Sequence, residues 1–324
     1  MSGIKQILNF VFILCIISCN SDSSSDGSSS SGDINEISII IDDKLWNGDV
    51  GDSLRKKLAA PVEGLTQEEP LFTLNQYNEN IFDGGLTKGR NIIVIDRDSI
   101  NSFKFKTNRY CSPQNIFTIK GQTAEELLFL IEIHTDEIVR KIRETEINEN
   151  QKRNAKTGLV NHGVFEKFGI CINVPTSYNF AMNRHDFLWL KKDTPGGNTS
   201  ILIYRVPATV IEHDKTILNN IIQMRDSIGR KYIHGLEKNT YMITEEAYSP
   251  YFFTTSYKNR MLFETRGNWE MENEFMSGPF INYAVRDNVK NDYFIIEGFV
   301  YSPSTPKRDL IVELESIIRS AEFL

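Results

Sequence analysis

From residue 36 onward, alternation and helical spacing divide the chain into many strands and a few helices. The run EISIII from Glu36 to Ile41 reads as a β-branched strand stopped by Asp42-Asp43. Leu54 and Leu58, four apart, predict a short helix through Leu58, capped by Asp49 or Asp52. Strands are expected at Pro70–Leu74, Asn91–Asp96, Ser102–Thr107 and Asn115–Lys120. Thr123 with Glu126 carries a capping-box signature and opens a long helix to about Arg153, with Leu127, Ile131, Ile138 and Ile142 on one face. From Lys141 onward that helix is charged on nearly every side and reads as a solvated arm.

After Gly158 the pattern restarts. A turn at Val164–Lys167 precedes a strand, Phe168–Val174, ended by Pro175. Asp186–Lys191 and Ser200–Val206 form a hairpin around the turn DTPGGN at 193–198. Ile217, Ile221, Ile222 and Ile228 mark a helix ended by Gly229. Strands follow near Tyr241–Glu245, Tyr251–Thr255, Arg260–Thr265, Asn268–Phe275, Phe280–Asp287 and Tyr293–Tyr301, which leaves Arg266-Gly267 and Met276 to Pro279 in turns. Thr305 and Pro306 open a last helix that buries Leu310, Leu314, Ile317 and Ile318. The order predicts an α+β protein of two sandwich-like halves, mostly antiparallel sheets with helices packed on one face. The N-terminal domain is expected over 35–157 and the C-terminal domain over 158–324. The layout of the second half is faintly similar to the Mog1/PsbP-like fold, with a proline-ended opening strand and a tail Ser320-Ala321-Glu322-Phe323 after the last helix.

The first 34 residues are of another kind. Lys5 precedes an apolar run over 7–17, too short for a membrane span, that ends in Ile16-Ile17-Ser18-Cys19. This resembles the bacterial lipobox, in which the cysteine thiol takes diacylglycerol. Residues 1–18 are then a lipoprotein signal peptide, and residues 19–34 a tether whose Ser, Asp and Gly content buries no apolar surface. The expectation is a body anchored through acylated Cys19 at the outer membrane, with the leaflet open.

Composition narrows the function classes. The net charge of −7 argues against nucleic-acid binding, which needs a basic face. With Cys15 in the signal segment and Cys19 acylated, Cys111 and Cys171 remain, either as a disulfide or as two separate thiols. The histidines, at 134, 162, 185, 213 and 234, form no zinc pattern, and no metal or cofactor is expected. Gly84 to Arg90 lacks the spacing of a phosphate loop, and Glu270, Glu272 and Glu274 read as a solvated acidic strand face. One cluster stands out as a candidate ligand site. Arg266, Trp269 and Trp46 are residue types that favour recognition surfaces, and an arginine fork grips carboxylate or phosphate.

Several blocks carry a family resemblance. They are Asp42 to Trp46 with Gly51-Asp52, Glu69 to Phe72, Arg90 to Ile92, Phe168-Gly169 with Val174-Pro175, Phe187 to Leu190, and Arg225-Asp226. Arg266 to Trp269, Asn273 to Phe280, Glu297 to Tyr301 and Lys307-Arg308 complete the set. Over roughly 36–322 the chain resembles an uncharacterised family of Bacteroidota lipoproteins, domain-of-unknown-function family 4837. Ser277 stands where that family has a second glycine, and Glu274 where it has aspartate. The resemblance implies no activity. The reading is therefore a lipid-anchored envelope protein that binds another envelope protein or a glycan without catalysis. The rival is an envelope hydrolase with a site near 266–280, which requires a concave pocket holding at least two ionisable groups with shifted pKa values.

Overall fold

The computed structural model describes residues 28–213 and 216–324. The signal segment, Cys19 and the start of the serine-rich stretch lie outside the described residues. From Ser28 on, that stretch is already attached to the body: Ser31 N–H donates to Lys88 O at 2.8 Å, and Ser112 N–H to Ser28 O at 3.1 Å. Residues 28–33 therefore do not belong to a free tether. Backbone pairing holds them where apolar burial does not.

The first half is a five-stranded sheet flanked by helices. Its strands are β1 (Glu36–Ile41), β2 (Thr73–Tyr77), β3 (Asn91–Arg97), β4 (Ser102–Thr107) and β5 (Asn115–Gly121), in the order β2-β1-β3-β5-β4. Asp42 does more than stop β1. Its side chain accepts the Lys44 N–H and caps the short helix α1 (Asp43–Trp46). Helix α2 (Asp49–Leu58) starts at Gly48 with no side-chain cap, so neither Asp49 nor Asp52 serves as one. Helix α3 (Ala124–Lys156) opens with the full reciprocal capping box of Thr123 and Glu126. Ile37, Ile39, Ile93, Ile95 and Phe117 pack under Leu54 of α2 and Ile131 and Ile138 of α3. The pairs β1·β2, β1·β3 and β3·β5 are parallel, so this sheet departs from the antiparallel expectation. Parallel strands need long crossovers, and α1 with α2 supplies the first of them.

The second half is an eight-stranded sheet, antiparallel throughout. Two short strands, β6 (Ile170–Cys171) and the last strand β15 (Glu322–Phe323), pair separately. The large sheet holds β7 (Asn179–Asn183), β8 (Phe187–Thr194), β9 (Gly197–Pro207), β10 (Met242–Thr244), β11 (Tyr251–Tyr257), β12 (Arg260–Met271), β13 (Glu274–Asp287) and β14 (Asp292–Tyr301). The β8–β9 turn places Gly196 at φ +83°, as the DTPGGN pattern requires. Helices α4 (Ala208–Glu212) and α5 (Ile217–Tyr232) cover one face, and α6 (Arg308–Ile318) covers the other. Helices on both faces replace the single helical layer expected. Strand β14 gives the reason: Tyr293, Ile295 and Phe299 point to the α5 side, while Phe294, Ile296 and Val300 point to the α6 side. A strand apolar on both sides must be covered on both.

Several expected boundaries move: the strand expected at Phe168–Val174 shrinks to β6, and the one expected at Pro70–Leu74 starts later, as β2. Helix α5 runs through Gly229 to Tyr232, because Gly229 is a packing site and not a terminator: an added Cβ would stand 2.0 Å from Met242 O. The strands expected before and after residue 266 are one strand, β12, and the Met276 to Pro279 segment lies inside β13. The chain reverses at Glu272-Asn273, so Glu270 and Glu274 sit on different strands, not along one. Asn273 takes φ +62° there.

Candidate functional site

The two halves meet where α3 and α6 pack together. The arm expected to be solvated is this joint. Glu146 of α3 is fully buried and accepts from Arg90 Nε at 2.8 Å, Asn91 Nδ2 at 2.5 Å and Asn35 N at 3.2 Å. Gln151 Nε2 donates to Ser316 O of α6 at 2.9 Å. Glu69, in the loop before β2, accepts the backbone N–H groups of Lys307 and Arg308 at 2.7 and 2.8 Å. The cap of α6 thus comes from the other half, and Thr305 makes no such bond.

Glu315 is the centre of the joint. Arg143 Nη2 of α3 donates to its two carboxylate oxygens at 3.3 and 3.0 Å. Arg266 Nη2 of β12 lies 2.9 Å from it, and Arg319 Nη1 at 3.6 Å. Arg266 also donates through Nε to Glu264 at 2.5 Å. Burial by itself raises the Glu315 carboxyl, but Arg266 and then Arg143 overcome it and hold the group at about 2. Burial disfavours charge on Arg266, yet Glu315 and Glu264 more than offset this and push its pKa up. Burial, reinforced by Glu315, drives the Tyr283 phenol well above its ordinary range.

Two hollows open on this cluster. One, of about 240 Å³, lies between Asn35, Leu71 and Glu146 of the first half and Arg308 and Ile311 of the second. The other, of about 520 Å³, lies over the sheet, between residues 253–257 of β11, Leu262 and Tyr283, and Arg319 just past the end of α6. Glu63, Arg143, Arg266 and Glu315 border both.

Of the three residues expected to form a ligand site, only Arg266 lines this cleft. Trp269 is three positions on in the same strand and therefore points to the opposite face of the sheet. There its Nε1 donates to Val300 O at 3.1 Å and its ring meets Phe299 edge-on at 5.6 Å. It borders a separate hollow of about 200 Å³ with Trp189, Met276 and Tyr301. Trp46 stays in the first half, half-buried beneath the Arg55 guanidinium at 4.5 Å. Cys111 and Cys171 are free: Cys111 is buried with Sγ 3.2 Å from Lys88 O, and Cys171 Sγ lies 2.9 Å from His162 Nδ1. Among the described residues no three His, Cys, Asp or Glu side chains converge as a metal-ligand set.

The residues missed by sequence reasoning are Arg143, Glu315 and Glu69. Glu315 did carry a signal, since it stands four after Ile311 and three before Ile318, on the stripe that α6 buries. Glu69 stood in a block of the family resemblance, but nothing local linked it to Lys307-Arg308, and Arg143 had no signal, because their partners are distant in sequence.

Comparison with known proteins adds the following. A family model described as Domain of unknown function (DUF4837) matches residues 159–320, and another, Domain of unknown function (DUF8532), matches residues 30–155. The motif blocks before residue 159 thus fall in the second match and not in the first. No curated protein matches the sequence. Among solved structures the chain is similar to the Saccharomyces cerevisiae Ran-binding protein Mog1p, at 11% identity and a TM-score of 0.31 over 48% of this chain and 90% of that one. A mutant of protein Mog1 matches at 11% identity and a TM-score of 0.32, with the same coverage.

Proposed function

This chain belongs to the DUF4837 family, and from that premise we propose that it is a non-enzymatic binding protein of the bacterial cell envelope. Acylated Cys19 holds it at the outer membrane, and its body engages another envelope protein or a glycan through the cleft between the halves. Support for the anchor comes from the sequence: an apolar segment, Ile16-Ile17-Ser18-Cys19, and serines directly behind it. The binding reading rests on one observation, the three guanidiniums gathered around buried Glu315 beneath two hollows.

The larger hollow holds ionisable groups with shifted pKa values, Glu315, Arg266 and Tyr283, as the hydrolase reading requires, but the direction of the shifts speaks against it. A general acid or base works best with a pKa near ambient pH. Here Glu315 is driven down to about 2 and Arg266 is driven up, so each is fixed in its charged form. Such groups orient and attract a ligand without exchanging protons with it.

Two arms test the proposal in cells. Alkyne fatty-acid labelling is expected in the wild type and lost in Cys19→Ala; equal labelling of both would remove the anchor. A photo-crosslinking residue at Thr255, which borders the cleft, is expected to capture a specific envelope component that the same probe at exposed Ile100 does not. Repeated recovery of the protein alone from Thr255 would remove the binding role.

A further inference from the structure

Strand β11 forms the wall of the larger hollow and is also an open sheet edge. It pairs with β12 in unbroken register, from Tyr251 opposite Arg266 to Tyr257 opposite Arg260. On its other side no strand follows, and among the described residues no backbone hydrogen bond reaches residues 251–257 from elsewhere. A row of unpaired N–H and C=O groups therefore faces outward.

Edges of this kind template pairing with another chain, and proteins usually blunt them with lysine, proline or a bulge. Two other edges of this molecule follow that rule. Strand β4 carries Lys104 and Lys106, and β7 has a register shift between Phe180 and Met182. The sequence of β11, YFFTTSY, contains no charge and no proline, and its pairing has no bulge. Tyr251 and Phe253 are large and exposed, at 48% and 39%. Phe253 and Thr255 border the hollow, so an added strand would lie beside the arginine cluster.

That cluster has unspent donors. Three guanidiniums share Glu315, and Arg319 reaches it only at 3.6 Å, its own fork making no hydrogen bond among the described residues. The side chains of Arg143 and Arg319 are 37% and 36% exposed, whereas that of Glu315 is 3% exposed. Glu264 is already engaged by Arg266, and Glu63 stands at the rim. A carboxylate arriving from outside would meet the fork of Arg319 beside Arg143, the geometry that suits bidentate recognition.

We propose that β11 is a docking edge for an extended segment of a partner protein, which adds as a further strand and places an acidic side chain or C-terminal carboxylate on Arg319 and Arg143. The proposal rests on the cleft-binding reading above and names its ligand class. Main-chain bonds along β11 would supply affinity, and the carboxylate would fix register.

The test uses the whole exported body and a random peptide library of β11's own length, seven residues. Selection is expected to enrich β-branched sequences with Asp or Glu at one fixed position. Replacing that acid by its amide should weaken binding about tenfold or more. Methylating alternate backbone nitrogens of the peptide should abolish it. Phe253→Lys, which charges the edge, should remove binding, and Arg319→Gln should remove the preference for the acid. Unchanged melting curves would confirm that these variants fold. No enrichment, or enrichment indifferent to both variants, overturns the proposal, as does concentration-dependent pairing of two copies through β11. If selection fails while the Thr255 crosslink still captures an envelope component, strand addition falls and the cleft reading stands. If both fail, both fall.

Discussion

Glu69 caps helix α6 at Arg308, its Oε2 accepting the Arg308 N–H at 2.8 Å across a separation of 239 residues. The same carboxylate takes Lys307 N–H through its other oxygen, so one side chain satisfies two of the orphan donors at the helix start. Both residues belong to blocks that carry the family resemblance, and the fold brings those blocks together. Glu69→Ala is expected to cost about 1 kcal/mol, as loss of an N-cap does. Urea denaturation measures it, and proteolysis between the halves should quicken in parallel.

Glu315 makes stability depend on acid. Its pKa is depressed in the fold, so the stabilisation is fully present above the unfolded value, 4.5, and is lost as pH falls toward about 2. The span corresponds to about 3 kcal/mol. Melting temperatures of wild type and Glu315→Gln should differ most above pH 5 and converge between pH 4.5 and pH 2. Curves that stay parallel over that range would count against a carboxylate held ionised by Arg266 and Arg143.

In the second half, Arg225 is fully buried and forks onto Glu297 at 2.8 and 2.7 Å, while its guanidinium lies 3.3 Å from the centre of the Phe280 ring. Asn282 Nδ2 adds a third bond to Glu297 at 2.7 Å. Arg225→Met alone leaves a buried carboxylate uncompensated and is expected to cost about 3–5 kcal/mol. Pairing it with Glu297→Leu removes both charges and should recover most of that loss. A double-mutant cycle by equilibrium unfolding decides it.

Gly229→Ala should reverse the usual helix preference. In an exposed helix the change gains about 1 kcal/mol. Here the new methyl would stand 2.0 Å from Met242 O, so α5 must shift away from β10. A loss of about 1–3 kcal/mol is expected from the forced repacking. A raised melting temperature would contradict the packing described for this helix.

Much of the fold could be read along the chain. Strands β1, β3, β4, β5 and β14 and the capping box of α3 lie close to where alternation and capping chemistry put them. The misreadings came from glycine and proline. Gly267, Gly278 and Pro279 look like turn punctuation. In the sheet, however, Gly267 faces Phe280 and Gly278 faces Trp269, so each glycine makes room for a ring across the ladder. Splitting β12 there displaced Arg266 from strand to turn and suggested that Trp269 stood beside it. The cleft itself was hidden for another reason. Arg143 and Glu315 are 172 positions apart, and no local period announces a pair that only tertiary packing brings together.

Helix α3 is 33 residues long, and it serves two masters. Its opening turns cover one sheet, while its last turns, through Arg143, Gln151 and Asn154, hold a helix of the other. Dividing the gene near residue 157 would give this shared beam to one fragment and strip Ser316 of Gln151 and Asn154, and Glu315 of Arg143, in the second. Neither product would inherit a finished surface, so activity assays on separated fragments would describe damaged goods and not the parts of a modular whole.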